Sequence, residues 1–116
     1  MDIEKFLTET APQIDKAIEK YIPRKFNKNS VLFKVTPPRY SYNLEPLNKA
    51  IADPIWDMLD RGGKRWRPAL FLLICEALGK KDSYCADFAV IPEVIHNGTL
   101  VIDDIEDSSE MRRGKP

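Results

Sequence analysis

Two short runs in this chain have residue types and spacings suited to chemistry. The first is Gly62-Gly63-Lys64-Arg65-Trp66-Arg67-Pro68, with three cations within four residues just ahead of an apolar stretch. A helix starting there already presents free N–H groups and the positive end of its dipole. Adding cations is unfavourable unless an anion comes to the same place. A phosphate or diphosphate would use the backbone donors and the forked arginine heads together. A solvated basic loop paired to nearby carboxylates also fits this run. The second is Asp103-Asp104-Ile105-Glu106-Asp107, with four carboxylates in five residues. Asp103 and Asp107 share one face of a helix, where like charges repel. A bound divalent cation reverses the sign of that effect, and oxygen-only ligands favour hard Mg²⁺. A charged, solvated helix end is the alternative, although the run Thr99-Leu100-Val101-Ile102 sets the acids at the rim of a core.

Between the runs lies His96, the only histidine, seven residues before Asp103. That is about two helical turns, so the two residues face similarly. A satisfied core histidine is the default reading. Past the acids come Arg112-Arg113-Gly114. Cations on both sides of a carboxylate face describe a site for diphosphate groups.

The elements that must position these residues read as helices. Residues 2 to 22 carry Ile3, Phe6, Leu7, Ile14, Ala17, Ile18, Tyr21 and Ile22 at spacings of three and four. Pro12 suggests a break or fresh first turn there, with Thr10 as N-cap. Residues 23 to 46 hold four prolines and read as an irregular connection, either a tie-down or a flap, anchored by Val31-Leu32-Phe33, Tyr40 and Tyr42. Pro46 to Leu59 is a second long helix, with Leu47, Ala50, Ile51, Ile55, Met58 and Leu59 toward a core and a kink or restart at Pro54. Gly62-Gly63 ends it. A third opens near Arg65 to Pro68, and its body, Ala69 to Leu78, is apolar almost all round, which predicts burial. Gly79 stops it. A fourth runs from about Asp82 to Glu106, bent at Pro92. No long strand-like alternation, internal repeat or low-complexity tract is visible, so the fold class is all-α.

Composition excludes several functions. Lys+Arg and Asp+Glu are equal at 18 each, so there is no basic excess for a general nucleic-acid surface. The longest apolar stretch, Ala69 to Cys75, is seven residues, against roughly 20 for a membrane-spanning helix. No secretory signal is visible after Met1. Cys75 and Cys85, with a single histidine, do not make a four-ligand zinc site. They read as reduced, buried thiols of a cytoplasmic protein.

Taken together, the motifs resemble the N-terminal part of the trans-isoprenyl diphosphate synthases, the polyprenyl synthetase family. Gly62 to Pro68 is similar to that family's GGKxxRP segment. His96 to Asp107 is similar to its first aspartate-rich motif, DDxxD, with the preceding helix. Arg112-Arg113-Gly114 matches the RRG that follows. Three motifs in order and at family spacing are far more specific than any one. The likeness is strong over residues 44 to 116 and weak over 1 to 43.

The resemblance implies the front part of the isoprenoid synthase helical fold and an Mg²⁺-dependent prenyl transfer. In that reaction isopentenyl diphosphate is joined to an allylic diphosphate by ionisation, condensation and elimination. It implies Asp103 and Asp107 as metal ligands with Asp104 supporting. Lys64 and Arg67, helped by His96, would hold the isopentenyl diphosphate. Arg112 would contact the allylic diphosphate and Arg113 the isopentenyl one, with Arg65 a weaker candidate. The family's tunnel positions fall on Thr99 and Gly98. Without an aromatic there the tunnel stays open, which implies a C20 or longer product. Ile102 stands where the family often has histidine, with little expected consequence. Family members also carry a second aspartate-rich motif downstream and work as homodimers. This chain is therefore expected to be a fragment of a synthase, inactive and loosely folded alone, with the apolar faces of its third and fourth helices uncovered. A truncated non-catalytic diphosphate-binding protein, a subunit needing a partner chain and a plain helical interaction module are the competing expectations.

Overall fold

A computed structural model of the chain describes residues 2–80 and 83–116. It is built of helices α1 (Ile3–Tyr21), α2 (Val31–Val35), α3 (Leu44–Leu47), α4 (Asp53–Asp60), α5 (Trp66–Ala77) and α6 (Ser83–Glu106). A π-helical stretch, Asn48–Ala52, joins α3 to α4. Among the described residues the only β pairing is an isolated bridge between Arg112 and Lys115. The all-α expectation is met. The predicted helix start at Asp82 lies outside the described residues.

Helix α1 runs unbroken through Pro12, against the expected break. Asp2 is its N-cap, accepting from the N–H groups of Glu4 and Lys5 at 3.1 and 3.2 Å. Thr10 is instead buried in mid-helix, where its hydroxyl donates to Phe6 O at 2.7 Å. Pro12 is tolerated because it and Thr8, whose carbonyl loses its donor, both lie on the exposed side, where water can serve.

The proline-rich connection is a tie-down rather than a loose flap. Phe26 is buried, and Asn48 pins its backbone, with the Phe26 N–H donating to Asn48 Oδ1 at 2.6 Å. Phe33 packs its ring between Phe26 and Tyr42, at centroid distances of 6.3 and 4.9 Å. Tyr40 and Leu32 do not anchor anything; both are exposed.

The second long helix begins at Leu44, with Asn43 capping Glu45 N–H. The π-helical stretch solves the problem set by Pro54. Its wide turn carries the Asp53 N–H back to Asn48 O, so the ladder is already shifted before the proline removes a donor. That shift also turns the helix. Ala52, Trp56 and Leu59 face the core, while Ala50 and Ile51, expected inside, face out.

The core gathers Ile14, Ala17 and Ile18 of α1, Trp56 and Leu59 of α4, Ala69 of α5 and Val90 of α6. Burying an isoleucine or leucine fully is worth about 1.5–3 kcal/mol, so these few side chains hold the four long elements together. Trp56 also donates its indole N–H to Ile22 O at 3.0 Å, with the Arg24 guanidinium over its ring at 3.9 Å. That arginine is paired in turn to Asp60 through two hydrogen bonds of 2.7 and 2.9 Å.

Helix α5 opens at Trp66 with Pro68 buried in its first turn. It closes in a Schellman motif, in which Gly79 N–H bonds Glu76 O and Lys80 N–H bonds Cys75 O. The expected burial of its body fails on one side. Leu70, Ile74 and Leu78 are exposed, as are Phe88, Ile91 and Ile95 of α6. The two apolar faces are uncovered, and Cys75 and Cys85, which form no disulfide with each other, are only half-buried. Helix α6 passes unbroken through Pro92. By length and composition alone it is long and apolar enough to cross a membrane. Its apolar sequence is not continuous, because Glu93, His96 and Asn97 interrupt it.

Candidate functional site

The two charged runs are built at opposite ends of neighbouring helices and meet through the chain's last turn. Ahead of α5 the backbone makes three left-handed residues, Gly62 at φ +97°, Gly63 at +136° and Arg65 at +48°. Only Gly63 has a second reason to be glycine. A Cβ there would stand 3.1 Å from the Arg65 guanidinium and 3.3 Å from that of Arg113. The turn therefore lets two cations approach the backbone closely.

Arg65 is not available for a ligand. Its side chain is 4% exposed. It donates to Asp15 Oδ1 at 2.8 Å, to Glu93 Oε1 at 3.2 Å and to Leu59 O at 3.0 Å. Glu93 also accepts from Asn97 Nδ2 at 2.9 Å. One buried network thus ties α1, α4 and α6 to the turn, and the weaker candidate among the cations proves structural. Lys64 and Arg67 project from the same turn. Lys64 is well exposed, 3.4 Å from Glu4, and Arg67 lies over the Trp66 ring at 4.4 Å.

At the far end, α6 closes in a second Schellman motif. Ser109 N–H bonds Asp104 O, and Ser108 adopts φ +52°. The acids therefore sit on the last turn, at the negative pole of the helix dipole. Self-repulsion and the dipole both oppose them there, so no gain in fold stability explains the cluster. Asp103 and Asp107 remain exposed. Asp104 is different. Arg112 Nε donates to its Oδ2 at 2.8 Å, and Arg112 Nη2 lies 3.8 Å from Asp103 Oδ2. The hydrogen bond holds the Asp104 carboxyl below its ordinary range.

Arg113 reaches across to Gly62 O, so the Arg112–Gly114 turn touches both charged runs. His96 lies within the field of the same cations. Burial lowers its pKa first, and the charges of Arg67, Arg113 and Arg112 lower it further against an opposing pull from Glu93. The imidazole is held in its neutral form, able to take a proton when an anion offsets those charges.

Between α4 and α6 lies a cavity of about 530 Å³ whose walls include Asp57, Arg61, Asp104 and Arg112. Pro54, Met58 and Val101 wall both it and an apolar groove of about 290 Å³ that includes Ile55, Val94, Asn97 and Gly98. Nothing lies within 4 Å of a Cβ built at Gly98, whereas Thr99 turns its hydroxyl to His96 O at 2.8 Å. Asn97 Oδ1 is buried without a partner. Among the described residues no three metal-ligating side chains are gathered. Asp103 and Asp107 supply two hard oxygen donors from one helix, a set that suits Mg²⁺ when water and phosphate oxygens complete it.

Sequence reasoning missed Asp15, Arg61, Glu93 and Asn97. Glu93 had a visible signal, as a carboxylate inside an apolar helix and three residues before His96. Arg61 had only its place beside the glycine pair.

The profile of the Polyprenyl synthetase family matches residues 48–116, and the chain belongs to that family. A farnesyl diphosphate synthase from Geobacillus stearothermophilus is 33% identical over 118 residues, covering all of this chain and 33% of the relative. A geranylgeranyl diphosphate synthase from Methanosarcina mazei is 46% identical over 59 residues, 51% of this chain and 18% of the relative. A geranylgeranyl pyrophosphate synthase from Geoglobus acetivorans is 52% identical over 56 residues, 48% of this chain and 18% of the relative. The chain thus spans a third or less of these curated relatives. No solved structure is a significant match.

Proposed function

We propose that this chain forms the diphosphate-binding front of a prenyltransferase that condenses isopentenyl diphosphate with an allylic diphosphate. The observation that carries the reading is the Arg112–Gly114 turn, whose side chains touch Asp104 on one side and Gly62 on the other. Cations and carboxylates of opposite purpose thereby border one place.

In this reading Lys64, Arg67 and Arg113 bind the isopentenyl diphosphate. His96, neutral when the site is empty, donates to the same group as it takes up a proton. Arg112 leaves Asp104 for the allylic diphosphate. Asp103 and Asp107 would hold Mg²⁺, which supplies charge compensation to the leaving diphosphate. The fixed cations act in the same sense, because negative charge grows on the departing group as the allylic C–O bond opens. The groove past Gly98 leaves room for a lengthening apolar chain and supports a C20 or longer product.

Calorimetric titration of inorganic pyrophosphate with Mg²⁺ tests the site. Binding that Asp103→Asn with Asp107→Asn abolishes is expected; unchanged binding in that variant would refute it. For the whole protein, Gly98→Phe should shorten the products seen by chromatography. A C15 end point before substitution would refute the length assignment. The whole protein is proposed to be a cytoplasmic homodimer, and this chain alone to be inactive. A second reading, a non-catalytic diphosphate-binding module or subunit, draws on the sequence holding one aspartate-rich run, Asp103 to Asp107. Turnover by the whole protein would exclude it.

A further inference from the structure

Arg61 walls the cavity between α4 and α6 but has no role in the diphosphate site described above. It is the C-cap of α4, and its side chain is 14% exposed although it borders a loop. Its Nε and Nη2 donate to Asp57 Oδ2 at 3.0 and 2.6 Å, which fixes the plane of the guanidinium. The remaining donors go to one short turn. Nη1 bonds Lys115 O at 3.1 Å and makes a longer contact of 3.4 Å with Arg112 O, and Nη2 bonds Pro116 O at 2.6 Å.

That turn is a tight one. Arg112 N–H donates to Lys115 O at 2.7 Å and Lys115 N–H returns to Arg112 O at 3.1 Å. Its two central residues, Arg113 and Gly114, have φ of +51° and +78°, the pattern of a two-residue hairpin turn. So short a hairpin has no core of its own and needs an outside support. Its other ties run through the side chains of Arg112 and Arg113, to Asp104 and Gly62. Those two side chains are the ones that would have to let go to meet an anion.

We infer that Arg61 is a positioning residue. It clamps the backbone of the Arg112–Lys115 turn, so that the Arg112 and Arg113 side chains can leave their resting partners for a diphosphate without the turn moving. The inference rests on the diphosphate reading above. It requires the fork of arginine rather than charge alone, because lysine offers a single point and cannot hold Asp57 and several carbonyls in one plane.

The test compares Arg61→Gln and Arg61→Lys with the unaltered protein, using Mg²⁺ and inorganic pyrophosphate in calorimetry. Loss of a supporting residue should weaken binding by about tenfold in both variants. Full recovery in Arg61→Lys would overturn the inference, since charge would then suffice. So would unchanged affinity in Arg61→Gln. A second readout needs no ligand. His96 is the only histidine, and its imidazole protons report the nearby Arg112 and Arg113 charges. In Arg61→Gln its titration should move up toward the ordinary range while near-ultraviolet circular dichroism stays native. A fixed titration would mean that the turn stays docked, and would overturn the clamp. Failure of the unaltered protein to bind pyrophosphate would overturn the diphosphate reading and this inference with it.

Discussion

The turn ahead of α5 and the last turn of α6 carry similar charge densities of opposite sign, yet the fold treats them differently. At the first, the middle cation is committed: Arg65 is buried among Asp15, Glu93 and Leu59 O, while Lys64 is exposed and Arg67 lies on Trp66. Acids at the second are largely uncommitted, with Asp104 alone hydrogen-bonded to an arginine, Asp103 only loosely paired to the same one, and Asp103 and Asp107 exposed at the wrong end of a helix dipole. A charge that supports the fold is buried and fully partnered. A charge kept against the interest of the fold points to something outside it.

The sharpest way to break this contrast is Arg65→Met. It strands Asp15 and Glu93 and should cost about 3–5 kcal/mol, read as a shift in the urea midpoint. A loss below about 1 kcal/mol would return Arg65 to the ligand-binding cations. Next comes Gly63→Ala, which puts a Cβ at φ +136° against two guanidiniums. It should cost about 1–2 kcal/mol in the same assay and weaken pyrophosphate binding.

Asp103→Asn with Asp107→Asn should behave in the opposite way. Removing their repulsion should leave stability unchanged or raise it by about 0.2–0.5 kcal/mol, while Mg²⁺-dependent binding disappears. A clear loss of stability would show that the acids serve the fold. The gentlest probe is pH. The folded pKa of His96 is lowered, so the unfolded chain binds its proton first. Stability should therefore fall as pH drops below about 6.5 and level off beneath the folded pKa. Pyrophosphate should pull the imidazole titration back up in NMR spectra. An unliganded pKa at or above the ordinary value would remove the neutral-imidazole role.

Periodicity and motif spacing made the long helices and both charged runs legible, while α2 lies within the segment read as an irregular connection. The class followed from repeats of three and four in α1 and the lack of long strand-like alternation, and the ends of α5 from Pro68 and Gly79. What stayed hidden depends on three dimensions. Pro12 reads as a breaker, but its exposed side makes it harmless. The π-helical stretch before Pro54 rotates Ala50 and Ile51 outward, which no regular period anticipates. The run Lys64-Arg65-Trp66-Arg67 gives no sign that its middle arginine is the structural one, because its partners Asp15 and Glu93 are distant in sequence. Arg61 is hidden for the same reason, since it acts on backbone carbonyls more than fifty residues away.

The chain's two tryptophans are placed to emit for different purposes. Trp56 is sealed in the core beneath Arg24, so its fluorescence should be blue-shifted and should redden only on unfolding. Trp66 is half-exposed with Arg67 on its face. If Arg67 swings to an anion, as proposed, the ring loses the cation on its face and its emission should change. The unlabelled protein would then carry one optical probe of folding and another of occupancy, separable by wavelength in a single cuvette.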